Sequence, residues 1–356
     1  MKRLAIILLF SLIILSGCLN KNILDNIRMV TAIGFDVAEN GLHEITVVVP
    51  RFNPDKSTSS ETYTTFANIT SGAEEALNMS DSKPFVSGKI EVVLASQELA
   101  QNGLIKLTDG FLRDPSVGSR VYLAITDITT KELLQGQYSN QDNGMFISDM
   151  LRQNMDSGPL PETNIHLFFN QFYDQARDPY LPLIGIEGKR ITIKGLALLR
   201  DDKMVEILSK DQLFTFKTLA HRKTIGDQLL IELDNDEYAS LYKVKTVRSI
   251  KMSNLKETPK VNINIDMNLT VREFTGQDLN PQKIERLKKK TEERIIEDSK
   301  EMIETFKELN IDPLGFGDQA RSRLRSWNNT KWEDQYPNIE VTIQPNVTIS
   351  ETGIAK

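Results

Sequence analysis

A single cysteine, Cys18, in a chain of 356 residues excludes an internal disulfide, so the domains must be held by apolar cores alone. About 340 residues beyond the leader are enough for two or three domains with cores of ordinary size. A lone thiol is no structural metal site either, since such sites take several Cys, His or carboxylate ligands. Its neighbours suggest another use. Lys2 and Arg3 open the chain, Leu4 to Leu15 are apolar except for Ser11, and Ser16 and Gly17 precede the thiol. As a helix that run would reach ~18 Å, short of the ~30 Å of a bilayer core, so residues 1–17 read as a signal peptide.

The order Leu15-Ser16-Gly17-Cys18 resembles a bacterial lipobox, in which the thiol receives a diacylglycerol and the chain is cut just before it. Cys18 is then the lipidation site and 18–28 a lipidated tether. The competing reading is a plain secretory signal with a chance cysteine. Each buried methylene contributes ~0.8 kcal/mol and firm anchoring takes about two chains, so a diacylglycerol holds the protein on a membrane without a spanning helix. No later segment is apolar enough to span one.

Removing residues 1–17 takes away Lys2 and Arg3 and no acid, which moves the formal net charge from −6 to −8. An acidic chain is a poor partner for nucleic acid, where phosphate binding asks for a clustered basic surface. The one basic run, Arg286 to Lys290, reads as the solvated face of a helix.

The periodicities give an α+β chain with mixed and antiparallel sheets. Asn40-Gly41 between "MVTAIGFDV" and "LHEITVVVP" is a hairpin signal, with strands expected near 29–36 and 42–50. "TYTTFANI" and "KIEVVLAS" read as strands, "SGAEEALNMS" as a short helix and "QELAQNGLIKLTDGFLRD" as helical. "SRVYLAIT" is a strand and 130–135 a short helix. From Ser139 to Pro182 glycines and prolines punctuate short helical pieces, which reads as a domain junction. "ITIKGLALLRDDKMVEIL" gives strand, Asp201-Asp202 turn, strand, and "QLLIEL", "YKVKTVRSIKM" and "VNINIDMNLTVREF" follow as strands. The last alternates: Val261, Ile263, Ile265, Met267 and Leu269 on one face and Asn262, Asn264, Asp266 and Asn268 on the other, as in a half-exposed antiparallel strand. Asn280-Pro281 opens a long helix over 282–310, with Ile284, Leu287, Ile295, Met302, Phe306 and Leu309 in a stripe for packing on the last sheet. A helix near 318–328 and a strand pair in "NIEVTIQPNVTI" complete the pattern. The expected domains are an N-terminal α+β unit over 29–185, a β-rich middle one over 186–245 and a C-terminal α+β unit over 246–356.

Together the lipobox, "NILDNIRMVTAIGFD", "SGAEEAL", "SGKIEVVLASQELAQNGLIKLTDGFLRD", "KGLALL" and "IDPLGFGDQARSRLRSWNNTKWEDQYPNIEVTI" resemble the C-subunit lipoproteins of nutrient germinant receptors of bacterial spores, the Ger(x)C family. The most specific part is the order Asp312, Gly315, Phe316, Gly317, Trp332, Gly353. Leu19-Asn20 stands where the family usually has Trp-Asp, and Gly88 where a His is common, as in a divergent paralogue. The resemblance implies three α+β domains on the outer face of the spore inner membrane. It implies integral membrane subunits as partners, one of which recognises small nutrients, and no enzymatic activity. The alternative is a solute-binding lipoprotein of an importer, which would normally show two lobes of alternating βα units.

The residues themselves offer little chemistry. His43, His166 and His221 lack ligand spacing, so no metal is expected. There is no G-x-S-x-G elbow, no phosphate-binding G-x-x-x-x-G-K-[ST] and no G-x-G-x-x-G, so neither hydrolase chemistry nor a nucleotide cofactor is expected. "GFGD" at 315–318 is either an anion-binding nest at a helix start or, the favoured reading, a glycine-permitted reversal with Phe316 plugging the core. Trp327 and Trp332 are either core or an exposed interface pair.

Overall fold

The computed structural model describes residues 26–351 apart from 175, 234 and 235. Cys18 and most of the expected tether lie outside the described residues. In chain order the elements are β1 (Arg28–Met29), β2 (Ala32–Val37), β3 (His43–Phe52), β4 (Thr58–Ala67), α1 (Thr70–Ser80), β5 (Phe85–Val86), β6 (Val92–Ser96), α2 (Gln97–Asn102), α3 (Ile105–Arg113) and β7 (Tyr122–Thr126). Then come α4 (Thr130–Gln135), α5 (Asn143–Ser157), α6 (Ile165–Tyr173), β8 (Tyr180–Glu187), β9 (Arg190–Arg200), β10 (Lys203–Ser209) and α7 (Leu213–Ala220). The chain ends with β11 (Lys223–Thr224), β12 (Gln228–Glu232), β13 (Tyr238–Ser253), β14 (Lys260–Phe274), α8 (Pro281–Glu308), α9 (Phe316–Arg321), α10 (Asn329–Gln335) and β15 (Glu340–Glu351).

An eight-stranded sheet runs β10-β9-β8-β7-β6-β2-β3-β4, with β2, β6, β7 and β8 parallel at its centre and antiparallel pairs on both flanks. A strand covered on both faces reads as an unbroken apolar run, and all five residues of β6, Val92 to Ser96, are buried. Its odd and even positions enter different cores. Val93 and Ala95 join Phe35, Leu99, Phe111 and Phe168 on one face, while Val92 and Leu94 meet Leu133, Ile147 and Leu151 on the other.

The second sheet has the order β11-β13-β14-β15, with β12 also on β13. In β14, Val261, Ile263, Ile265, Met267 and Leu269 are buried, in the phase expected from their alternation. β14 pairs antiparallel with β13 but parallel with β15, so the sheet is mixed. Of the expected helical stripe, Leu287, Ile295, Met302 and Phe306 are buried, while Ile284 and Leu309 are half-buried at the two ends of α8. This core runs without a break into that of the first sheet, through Phe214, Phe216 and Leu219 of α7.

Several elements differ from the sequence reading, each for a local reason. The helical run after residue 97 breaks at Gly103, whose φ of 118° is a conformation other residues avoid; α3 then starts where Ile105 donates its N–H to Asp202 Oδ2 at 2.9 Å. The expected junction at 139–182 holds the fifteen-residue α5 and α6, so its glycines and prolines mark turns rather than a linker. The expected boundary at 185/186 falls inside β8, which pairs with β9 across a tight turn at Gly188. The segment 186–245 forms no sheet of its own: β9 and β10 complete the first sheet, and β11, β12 and the start of β13 belong to the second. "NIEVTIQPNVTI" is one strand, because β15 is an edge, where a proline without an N–H is tolerated. The helix expected over 318–328 is the shorter α9.

Candidate functional site: the cleft between the two sheets

The C-terminal unit clamps onto the first through the segment after α8. Asn310 takes φ 50°, and the N–H of Ile311 returns to the Phe306 carbonyl at 2.9 Å, closing the helix. Asp312 then serves two partners. Its backbone N–H donates to Asp178 Oδ2 at 2.7 Å and its carbonyl accepts the Asp178 N–H at 3.1 Å, tying it to the segment just before β8. Its carboxylate accepts the N–H groups of Phe316 (3.0 Å) and Gly317 (2.6 Å) at the start of α9. Asp178 also accepts the N–H of Asp201, at the turn between β9 and β10.

Two glycines make this approach possible. Gly315 has φ 71°, and a Cβ on Gly317 would come within 2.6 Å of both the Ala176 carbonyl and Trp332 Nε1. Phe316 is 0% exposed. The amides that "GFGD" offered as an anion nest are occupied by the chain's own Asp312, so the reversal with an apolar plug is what forms. Trp332 is 5% exposed and lies 5.8 Å from the half-buried Trp327 and 6.0 Å from Tyr336, ring centre to ring centre. Arg321 adds a two-pronged ion pair to Asp174, at 2.7 and 3.0 Å.

Between these contacts lies a polar cleft of about 360 Å³, lined by Gln171, Arg177, Asp178, Asp312, Trp332 and Tyr336 among others. Gln171 Oε1, Arg177 Nε and Tyr336 Oη are buried and have no hydrogen-bond partner among the described residues. Burial pushes the Asp312 carboxyl up to about 7 and Asp178 up to about 6, outweighing the backbone N–H bonds they accept. No histidine lines this cleft. His221 is elsewhere, accepting the Glu162 N–H at 3.1 Å, and burial pulls it down to about 4. Among the described residues no cluster of three His, Cys, Asp or Glu could hold a metal ion. The cleft therefore lies where the two units join.

The raised carboxyls make a pH prediction. Both groups hold protons more tightly when folded than when unfolded, where a carboxyl titrates near 4. Folding thus takes up protons between about pH 4 and pH 7, and this contribution to stability is lost as pH rises through that window. Arg177, Arg200 and Asp201 line the same cleft, and His221, held neutral, works in the opposite direction below about pH 6.5. The comparison is therefore between the parent and Asp312→Asn. The melting temperature of the parent should fall relative to that of the variant on going from about pH 5 to about pH 8; parallel curves would contradict the assignment.

A second buried polar group escapes a reading of motifs. Lys217 Nζ donates to the carbonyls of Met155 and Gly158 at the end of α5, at 2.8 and 2.6 Å. Lys243 Nζ donates to Thr218 at 3.1 Å, lies 3.6 Å from Asp227 and sits 3.9 Å from the Phe214 ring centre. Burial pulls the Lys243 ammonium down to about 8. Arg248 Nη1 donates to the Leu219 carbonyl at the end of α7. Lys217 and Arg248 thus satisfy carbonyls at helix C-termini, which lack partners within the helix, while Lys243 is held by a hydroxyl, a carboxylate and an aromatic face. The available signal was phase: Ala239, Leu241 and Lys243 alternate onto the inner face of β13.

Cys18, the one site residue expected from sequence, lies outside the described residues; the cleft takes in Asp312 and Trp332 of the C-terminal motif. Among the described residues no helix is long and apolar enough to cross a membrane.

Comparison with known proteins matches the two parts of the chain to two family models: "Spore germination protein N-terminal domain" over residues 20–186 and "Spore germination B3/GerAC like, C-terminal" over 194–353. The chain is 30% identical to spore germination protein GerQC of Bacillus cereus, with all of both chains covered. It is 23% identical to spore germination protein A3 of Bacillus subtilis (strain 168), over 96% of this chain and 95% of the relative. The crystal structure of the GerBC protein superposes with a TM-score of 0.60 at 15% identity, covering 89% of this chain and 96% of that one, which shows a shared fold. With both halves matched and a relative aligned from end to end, the chain belongs to the GerAC family of spore germination proteins.

Proposed function

We propose that this protein is the non-catalytic, lipid-anchored subunit of a nutrient germinant receptor, needed for spores to germinate in response to small nutrients. It is held by a diacylglycerol on Cys18, on the outer face of the spore inner membrane, and works with integral membrane subunits. The end-to-end alignment with spore germination protein GerQC, which includes both domains, carries the reading. The lipobox supports the anchor, and the engagement of the Asp178 and Asp312 carboxylates by the chain's own backbone N–H groups supports a joining rather than a chemical role for the cleft.

The test is recovery of the protein from spore inner membranes with identification of whatever accompanies it. Integral membrane germination proteins in the same complex, together with loss of nutrient-triggered germination in spores lacking the chain, are the expected result. Recovery with transport subunits instead would reject this reading in favour of a solute-binding lipoprotein of an importer.

A further inference from the structure

The described chain emerges at one end of the eight-stranded sheet, and the position of its exit is fixed. Arg28 is held by Asp81 at 3.3 Å, just after α1, and by Glu61 of β4 at 3.5 Å, with its guanidinium over the Tyr63 ring. Seven residues, 19–25, lie between Cys18 and Asn26, eight chain steps with a reach of at most about 29 Å even fully extended. If Cys18 carries the lipid, this end of the sheet must stay close to the bilayer.

The same end carries the two most exposed large apolar side chains among the described residues, Met79 at 78% and Phe52 at 74%. Both placements follow from the topology. Ala32, the first residue of β2, pairs with Val48, while β3 and β4 run on together until Phe52 faces Thr58. The ribbon therefore extends four residues, about 14 Å, past the start of β2. Its tip is rigid: Asn53 and Ser57 are joined through backbone and side chains, and Asp55 Oδ1 accepts from both the N–H and the hydroxyl of Ser57. Exposed Arg51 and Lys56 flank the ring. Met79 sits in the last turn of α1, which descends antiparallel to β4 to the same end, two residues before Asp81.

We infer that this end of the sheet docks directly on the lipid surface, with Phe52 and Met79 entering the boundary between headgroups and acyl chains and Arg51 and Lys56 meeting anionic headgroups. Apolar tips beside cations are the chemistry of an interfacial contact, and rigid presentation spares the ordering cost of insertion. The inference rests on the lipid-anchor reading and adds an orientation to it: the second sheet and the cleft are held away from the tether by the width of the first sheet.

The experiment uses the full chain, acylated and reconstituted into phosphatidylcholine–phosphatidylglycerol vesicles. Cys18 is the only native cysteine, so once acylated it leaves a thiol introduced by Phe52→Cys, Met79→Cys or Phe66→Cys as the sole labelling site. Phe66, 56% exposed, stands at the opposite end of β4 and is the control. An environment-sensitive dye at 52 and 79 should shift to the blue and lose emission to nitroxide-bearing lipids, while the dye at 66 does neither. Chain that floats with the vesicles but shows no quenching at 52 overturns the docking while leaving the anchor intact. Protection at 52 that arises only when membrane subunits are added overturns it in favour of a protein partner. Chain that fails to float removes the anchor, and the inference with it.

Discussion

Phe316→Ala is expected to destabilise the protein by about 3–5 kcal/mol, the usual cost of truncating a fully buried aromatic. That is a large part of the stability of an ordinary domain. The ring is wholly buried in the core that holds Phe306, Leu314, Ala320 and Trp332, at the foot of the long helix. Its own N–H is spoken for by Asp312, and the glycines on either side allow the chain to double back against Ala176. Removing the ring leaves a cavity that these fixed partners cannot close by shifting. The melting temperature of the soluble protein should therefore drop, its level in spores should fall, and germination should fail because the protein is lost. A loop acting as a ligand or partner site would behave differently, with normal melting and abundance and a selective loss of germination. Thermal melting measured beside spore abundance separates the two, and an unchanged melt would overturn the core assignment.

The parts of the fold that could be read in the sequence are those in which one periodicity acts alone. The alternation from Val261 to Leu269 and the stripe from Leu287 to Phe306 are each set by burial on a single side, so phase and location agree with the structure. Where neighbours decide, the pattern is silent. Lys217 and Arg248 are buried because helices end beside them with free carbonyls, and while alternation places Lys243 on the inner face of β13, no local spacing announces the partners of any of the three. The division of 186–245 between two sheets has the same origin: a strand run does not say which edge it will join. Asp312 and Asp178 are 134 positions apart, and their mutual hydrogen bonds exist only once the second unit lies against the first. The motif "DPLGFG" shows a turn, yet not that its carboxylate fills the amide nest and closes the site to an outside anion.

Replacing Cys18 with alanine should have the largest effect of all, because the proposed anchor has no substitute. Among the described residues no helix can span a bilayer, and the interfacial contact inferred for Phe52 and Met79 involves two side chains against the many methylenes of a diacylglycerol. Insertion of one acyl chain gives only marginal and reversible binding, about 10⁴ M⁻¹, and two give a durable hold. A pair of exposed side chains, helped by Arg51 and Lys56, falls at or below the single-chain level. The Cys18→Ala chain should therefore be recovered either unprocessed or released, and it should wash from membranes without detergent. Raising the salt should release what remains, since the residual contact depends on cations near anionic headgroups. If the variant is still cut before residue 18 and resists such washing, the lipobox reading is wrong, and the inferred position of the sheet's end near the bilayer falls with it.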